Sequence, residues 1–298
     1  MPDTDQIGSS GGGEPPVPPA SDVFPTALEV ARLSPRRVLP GGGDLYRQIA
    51  RMFELDSEQE FLVVPGCRGL AARFLVELTG AVGAAVDPDA ELVAAATALA
   101  KEGKLGDRLH YDQSPLTELP YQDAVFDFTL GESDLSGVEP ARAVAELARV
   151  TRPMGTVVLV QFVWLKKVDP LRQEAIVRRL GVQPLLAMEW KQLMREAGVV
   201  DLHTEDWSDA AARLRQPAVL GPLAVFFSLR GTLSVLPRAW RRWGLRGVLT
   251  ALSVGPELRR LLADEKVLGV SLIKGTRWEP EEQEAVAGVS AGSQPEST

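Results

Sequence analysis

Residues 61–64 form an unbroken apolar run, Phe61-Leu62-Val63-Val64, whose length suits a buried strand better than a helix. Past Gly66 and Gly69 the period changes. Leu70, Phe74, Leu75 and Leu78 recur at helical spacing, so one face of that segment is apolar. A second apolar run, residues 81–86, ends on Asp87. Leu92, Ala96 and Leu99 then mark the buried face of a helix that ends near Gly103, with Pro88 expected in its first turn. Residues 108–111 predict a short third strand stopping at Asp112, and a fourth strand runs from Phe126 to near Gly131. A helix over 140–150 precedes a β-branched fifth strand, residues 156–162. Upstream, Leu45, Ile49 and Phe53 share one face of a helix for which Asp44 is a plausible N-cap.

The order strand, glycine turn, helix, strand, acid is the front half of a nucleotide-binding βαβ unit. Gly66 and Asp87 stand 21 positions apart, and the usual gap from such a turn to a ribose-binding acid is about 20 residues. Glycine lets a ligand approach the backbone, and a carboxylate after the second strand accepts ribose hydroxyls. The plain alternative is tight packing at the glycines and an Asp that caps the next helix.

Composition narrows the classes. The chain has 298 residues, 45% hydrophobic and 24% charged, which is ordinary for a globular protein of one to two domains. A net charge of −8 argues against general nucleic-acid binding. Cys67 is the sole cysteine and His110 and His203 the only histidines, so neither a disulfide nor a thiolate- or histidine-based metal site is expected. Cys67 reads as a small apolar filler rather than a nucleophile, His110 as structural, and His203 as surface decoration more than a proton acceptor. No apolar run spans a bilayer, and the first residues lack a signal peptide's pattern, so a cytoplasmic location is expected.

Two further segments are more specific. LPYQDAVFD, residues 119–127, precedes the fourth strand, and ELARVTRPMG, residues 146–155, precedes the fifth. Together with EWKQLMREAGV, residues 189–199, they make residues 44–207 resemble a class I S-adenosylmethionine (SAM)-dependent methyltransferase of the small-molecule type. The resemblance implies a Rossmann-like, doubly wound α/β fold: a mostly parallel seven-stranded sheet, its last strand antiparallel beside the fifth. It implies SAM as cofactor, with Asp87 at the ribose, Asp112 and Gln113 at the adenine, the turn Gly66, Cys67, Arg68 and Gly69 facing the methionine part, and Glu132 bordering the reacting methyl group. It implies no particular catalytic residue. Two positions depart from the family pattern: Val64 stands where an acid is usual, and Arg68 where the middle glycine falls. A catalytically inactive methyltransferase-like binding or regulatory protein is the alternative. A nicotinamide-dependent dehydrogenase shares the βαβ unit but leaves LPYQDAVFD and ELARVTRPMG unexplained, and arsenite methylation would need more thiols than one.

The domain plan follows: a disordered tail over 1–21, a core over 22–207 plus 264–278, a helical insertion over 208–263, and a disordered acidic tail over 279–298. Pro217, Pro222, Pro237 and Pro256 are expected to interrupt the insertion's helices, and residues 267–273 to form the closing strand. Residues 210–262 hold nine arginines against a single acid, Glu257, or +8, leaving −16 for the remainder. Among the arginines lie Leu223, Val225, Phe226, Phe227, Leu236, Trp240, Trp243, Leu245, Val248 and Leu249. Two readings stand: a helical lid over a small or lipid-like methyl acceptor, its arginines merely solvated, or one that also touches an anionic membrane surface.

Arg68 yields a first test. A long side chain can swing clear of the turn and place its guanidinium on the cofactor's carboxylate, so Arg68→Gly is expected to weaken SAM binding in isothermal titration. Tighter binding would show that Arg68 crowds the ligand instead, and an unchanged affinity would contradict both.

Overall fold

The structure, a computed structural model, describes residues 24–34, 44–67, 69–132, 135, 138–206, 223 and 225–278. Arg68, the two expected tails, Pro217 and Pro222 lie outside the described residues.

The expected apolar runs become strands β1 (Glu60–Val64), β2 (Val82–Asp87), β3 (Leu109–Gln113), β4 (Phe126–Gly131) and β5 (Thr151–Trp164), all parallel. With β6 (Val199–Asp206) and β7 (Leu268–Arg277) they make one seven-stranded sheet in the order β3-β2-β1-β4-β5-β7-β6. β7 runs antiparallel to both neighbours, and its Ile273 is paired with Leu159 of β5. Helices α2 (Asp44–Met52) and α3 (Leu70–Thr79) pack on one face of the sheet. On the other lie α5 (Pro140–Val150) and α7 (Ala187–Glu196), where Trp190 is fully buried. Sandwiched strands have no solvent face, which is why their sequences read as apolar runs without alternation.

Three boundaries differ from expectation. Helix α4 (Ala90–Glu102) is capped by Asp89, whose side chain accepts from the amides of Glu91 and Leu92, so Pro88 falls before the cap rather than in the first turn. β3 continues through Asp112 and Gln113, which pair with Val86 and Asp87. β5 begins at Thr151, absorbing Arg152 to Gly155 through an irregularity where Met154 adopts φ 62° and the β4–β5 register shifts.

Helix α1 (Ala27–Arg32) and helix α6 (Pro170–Leu180) flank the insertion's main element, α8 (Leu229–Arg259). The expected breaks at Pro237 and Pro256 do not occur, as both lie inside α8. The break is at Gly244, with φ 58° and ψ −142°, a conformation essentially restricted to glycine. The chain folds back there. A β-carbon placed on Gly247 would lie 2.6 Å from the Ala239 carbonyl oxygen, so residues 229–243 and 245–259 pack backbone to backbone as a helical hairpin. Its inner face, Val235, Ala239, Ala251, Val254 and Leu258, joins Ala27 and Val30 of α1 and Phe162 and Trp164 of β5 in one core. A short π-helical stretch (Arg260–Asp264) then leads to β7.

The fold-back is testable. Gly247→Ala must push the two limbs apart and is expected to cost about 1–3 kcal/mol in urea unfolding. Gly106→Ala, where a β-carbon meets nothing within 4 Å, should change stability by less than about 0.5 kcal/mol.

Candidate active site

The site lies along the carboxyl ends of β3, β2, β1 and β4, where open parallel sheets bind ligands. Register places these ends in a row: Asp87 pairs with Gln113, and Val64 with Gly131. Three inter-strand gaps make the row about 14 Å wide.

Asp87 is its centre. The residue is only 1% exposed, yet its carboxylate is well served. One oxygen accepts from the Cys67 amide and the other from the Asp89 amide, both at 2.9 Å. The two amides orient the carboxylate, one at each oxygen. The glycine turn before α3 is closed by the Gly69 amide on the Gly66 carbonyl at 2.8 Å. Gly66 is obligatory, since a β-carbon there would meet the Ala85 β-carbon at 2.9 Å. Gly69 takes φ 72° with the Tyr111 ring packed against it, and the Tyr111 hydroxyl donates to the Gly69 carbonyl at 3.0 Å. Cys67 is not the buried filler expected from sequence. It is half-exposed at the tip of the turn with φ 45°.

On the β3 side, Asp112 accepts from the Tyr121 hydroxyl at 2.7 Å, and the Gln113 amide donates to the Pro88 carbonyl at 3.3 Å. Burial, then the hydrogen bond to Asp112, raises the Tyr121 hydroxyl's pKa, so Tyr121 is a protonated donor at neutral pH. At the other end, Glu132 is buried and accepts from the Tyr46 hydroxyl at 2.6 Å. Burial above all, and then the Glu132 charge, keep Tyr46 protonated. Gln161 of β5 is fully buried, and its side-chain nitrogen donates to the carbonyls of Gly131 and Glu132 at 3.0 and 2.6 Å while its Oε1 has no partner.

Sequence reading missed Tyr46, Tyr111 and Gln161. Tyr46 and Glu132 are 86 residues apart and nothing local links them. Gln161 carried a signal, being the lone amide in an otherwise apolar stretch of β5. His110 is exposed on β3, and His203 is exposed on β6 opposite Lys274, so neither joins the site.

The two most specific motifs turn out to be supports. Glu146 accepts from the Leu119 amide and, in a two-point contact, from Nε and an Nη of Arg149, each at 2.7 Å. Arg149 also donates to the carbonyls of Leu119 and Tyr121 and to Asp123. Thus ELAR holds LPYQD, and through it the Tyr121 ring that packs edge-on against Phe126 and braces Asp112. Arg152 pairs with Glu60 and Asp127, both at 2.6 Å, joining the starts of β1 and β4.

With that geometry in place the relatives can be compared. Residues 63–159 match the family model described as a methyltransferase domain. An uncharacterized protein of Haemophilus influenzae is 24% identical over 217 residues, covering 71% of this chain and 84% of that one. Two solved structures share the fold. The (4+2)-cyclase SpnF has a TM-score of 0.61 at 21% identity, covering 78% of this chain and 80% of that one. The geranyl diphosphate C-methyltransferase of Streptomyces coelicolor, solved with Mg2+, geranyl-S-thiolodiphosphate and S-adenosyl-L-homocysteine, has a TM-score of 0.56 at 13% identity, covering 78% and 76%. Residues 63–159 thus match a methyltransferase domain, set in the fold that these solved structures share.

The clamp makes a pH prediction. Hydrogen bonding by Arg149, more than any other cause, lowers the Glu146 carboxyl pKa below its ordinary 4.5. A carboxylate with a depressed folded-state value contributes stability above its unfolded value and loses it as pH falls. Urea stability should therefore drop from about pH 4.5 downward, and Glu146→Gln should both cost about 1.5–3 kcal/mol at pH 7 and flatten that slope.

Proposed function

We propose that this protein transfers a methyl group from SAM to a small or lipid-like acceptor, with the ligand laid along the row of strand ends. The observation that carries this reading is the Asp87 carboxylate, sequestered at the end of β2 and aimed by the Cys67 and Asp89 amides. Asp87 accepts the ribose hydroxyls. Asp112 and Gln113 border the adenine. The turn Gly66, Cys67, Arg68 and Gly69 faces the methionine arm, and Glu132, held by Tyr46, flanks the transferring methyl. The residues fit such a ligand: a backbone cradle at Gly66 that no side chain could share, and a row of acceptors in Asp87, Asp112 and Glu132.

When bound, SAM supplies an electrophilic methyl on a positively charged sulfur. The chain's part is then mainly alignment, since a well-aligned nucleophile needs little acid–base help. Gln161 fixes the two carbonyls at the end of β4, and Tyr46 fixes the Glu132 carboxylate. A lipid-like acceptor is supported by the helical hairpin beyond β5, with apolar side chains on its surface, and by the isoprenoid analogue bound in the Streptomyces coelicolor neighbour.

One observation favours the alternative, a binding or regulatory protein without catalysis: Asp87 is almost fully covered, so ribose contact requires the covering atoms to move aside. Isothermal titration with SAM and S-adenosylhomocysteine separates the two. Heat with both ligands is expected, and Asp87→Ala should weaken SAM binding by about ten- to a hundredfold, the worth of charge-assisted hydrogen bonds. Asp87→Asn, which keeps the shape and one acceptor oxygen, should fall between. No heat with either ligand would favour the non-catalytic reading.

A further inference from the structure

The hairpin of α8 presents a surface that the fold leaves uncovered. Leu229, Leu233 and Trp240 recur along residues 229–243, and Leu245, Leu249 and Leu252 along residues 245–259. These six side chains are between 47% and 75% exposed. At 100° per residue each set falls on one stripe, opposite the Val235–Ala239 and Ala251–Val254–Leu258 positions that face the core. Large apolar side chains at helical spacing on the outside of a hairpin are not a scattered surface.

The charge around the stripes is one-sided. Arg230 and Arg241 are exposed to one side of the first stripe, Arg238 and Arg242 are exposed further round the same helix, and no acid occurs between residues 223 and 256. Arg242 lies over the Trp243 ring at 5.1 Å, an arrangement suited to the wet edge of an apolar layer. Along residues 245–259 the stripe borders a groove of about 570 Å3, lined in part by Leu249, Thr250, Arg178 and Arg179. The rest of the chain carries a net −16, so this basic segment stands out as one that attracts a negative surface. Although α8 has 31 residues, no described helix is long and apolar enough to cross a membrane. The hairpin can lie on a bilayer but not span it.

We propose that the outer face of this hairpin docks on anionic membrane surfaces, the leucines and Trp240 entering the headgroup boundary and the arginines meeting lipid phosphates. Of the apolar residues expected from sequence, Trp240, Leu245 and Leu249 are exposed and take part in docking, whereas Leu223, Val225 and Phe226 are buried and Phe227, Leu236, Trp243 and Val248 are half-buried. The proposal rests on and deepens the lipid-like acceptor reading by giving such an acceptor a source, the membrane itself.

Co-sedimentation of the full chain tests it without SAM, so its failure is separable from failure of the methyltransferase reading. The vesicles are phosphatidylcholine alone, or phosphatidylcholine mixed with phosphatidylglycerol. The protein should pellet with the anionic vesicles at low salt and be released at about 0.5 M salt. Each arginine near such a surface is worth about a fivefold change in partitioning, so Arg241→Glu with Arg242→Glu should weaken pelleting by more than about twentyfold. Leu245→Ser, Leu249→Ser and Leu252→Ser together should also abolish it, with a far-UV circular dichroism spectrum and a cooperative urea transition like those of the unaltered chain as the check on folding. Protein left in the supernatant with anionic vesicles at low salt would overturn the proposal. So would sedimentation as a dimer that the leucine substitutions convert to monomer, which would assign the stripe to a second copy of the chain.

Discussion

A buried carboxylate is costly unless hydrogen bonds replace its water. Asp87 meets that condition through the amides of Cys67 and Asp89. Those two bonds join the turn after β1 to the turn after β2, and so set the relative position of α3 and α4. The glycines follow from this closeness: at Gly66 the neighbouring strand leaves no room for a side chain, and at Gly69 Tyr111 fills the space above the backbone. The same constraint that makes the fold compact at this point also leaves a carboxylate and a bare backbone at the ligand end of the sheet.

Around this centre, recognition and support are divided between different residues. The segments that most strongly resemble methyltransferases, LPYQDAVFD and ELARVTRPMG, meet each other in the Glu146–Arg149 clamp and the Arg152–Asp127 pair. They reach the site through Tyr121, which braces Asp112. At the far end, Tyr46 and Gln161 grip Glu132 by side chain and carbonyl respectively. A motif is thus a sound guide to the fold without being the chemistry, because a loop must be held before it can position anything.

Much of the fold was legible because both faces of the sheet are covered. Strands 61–64 and 81–86 appear as plain apolar runs, and the 3.6-residue spacing between them admits only a helix. Boundaries set by local competition were less legible. Asp89 outcompeted Pro88 for the helix start by accepting two amides, and Thr151 to Gly155 joined β5 because neighbouring strands supplied partners the sequence does not show. In α8 the prolines were poor guides, whereas Gly244 alone reached the backbone angles that reverse the chain. Asp87, Asp112, Gln113 and Glu132 all lie at or just beyond strand ends, as spacing for Asp87 and resemblance for the others implied, yet the burial of Asp87 and its bond to Cys67 depend on tertiary packing that no spacing encodes.

Hydrogen–deuterium exchange with and without S-adenosylhomocysteine tests the central claim most directly. A ligand seated along the strand ends should slow exchange in residues 65–69, 87–89 and 112–114 together, since ordering one turn through Asp87 orders the others. Protection confined to the hairpin of α8, or none at saturating ligand, would contradict the account.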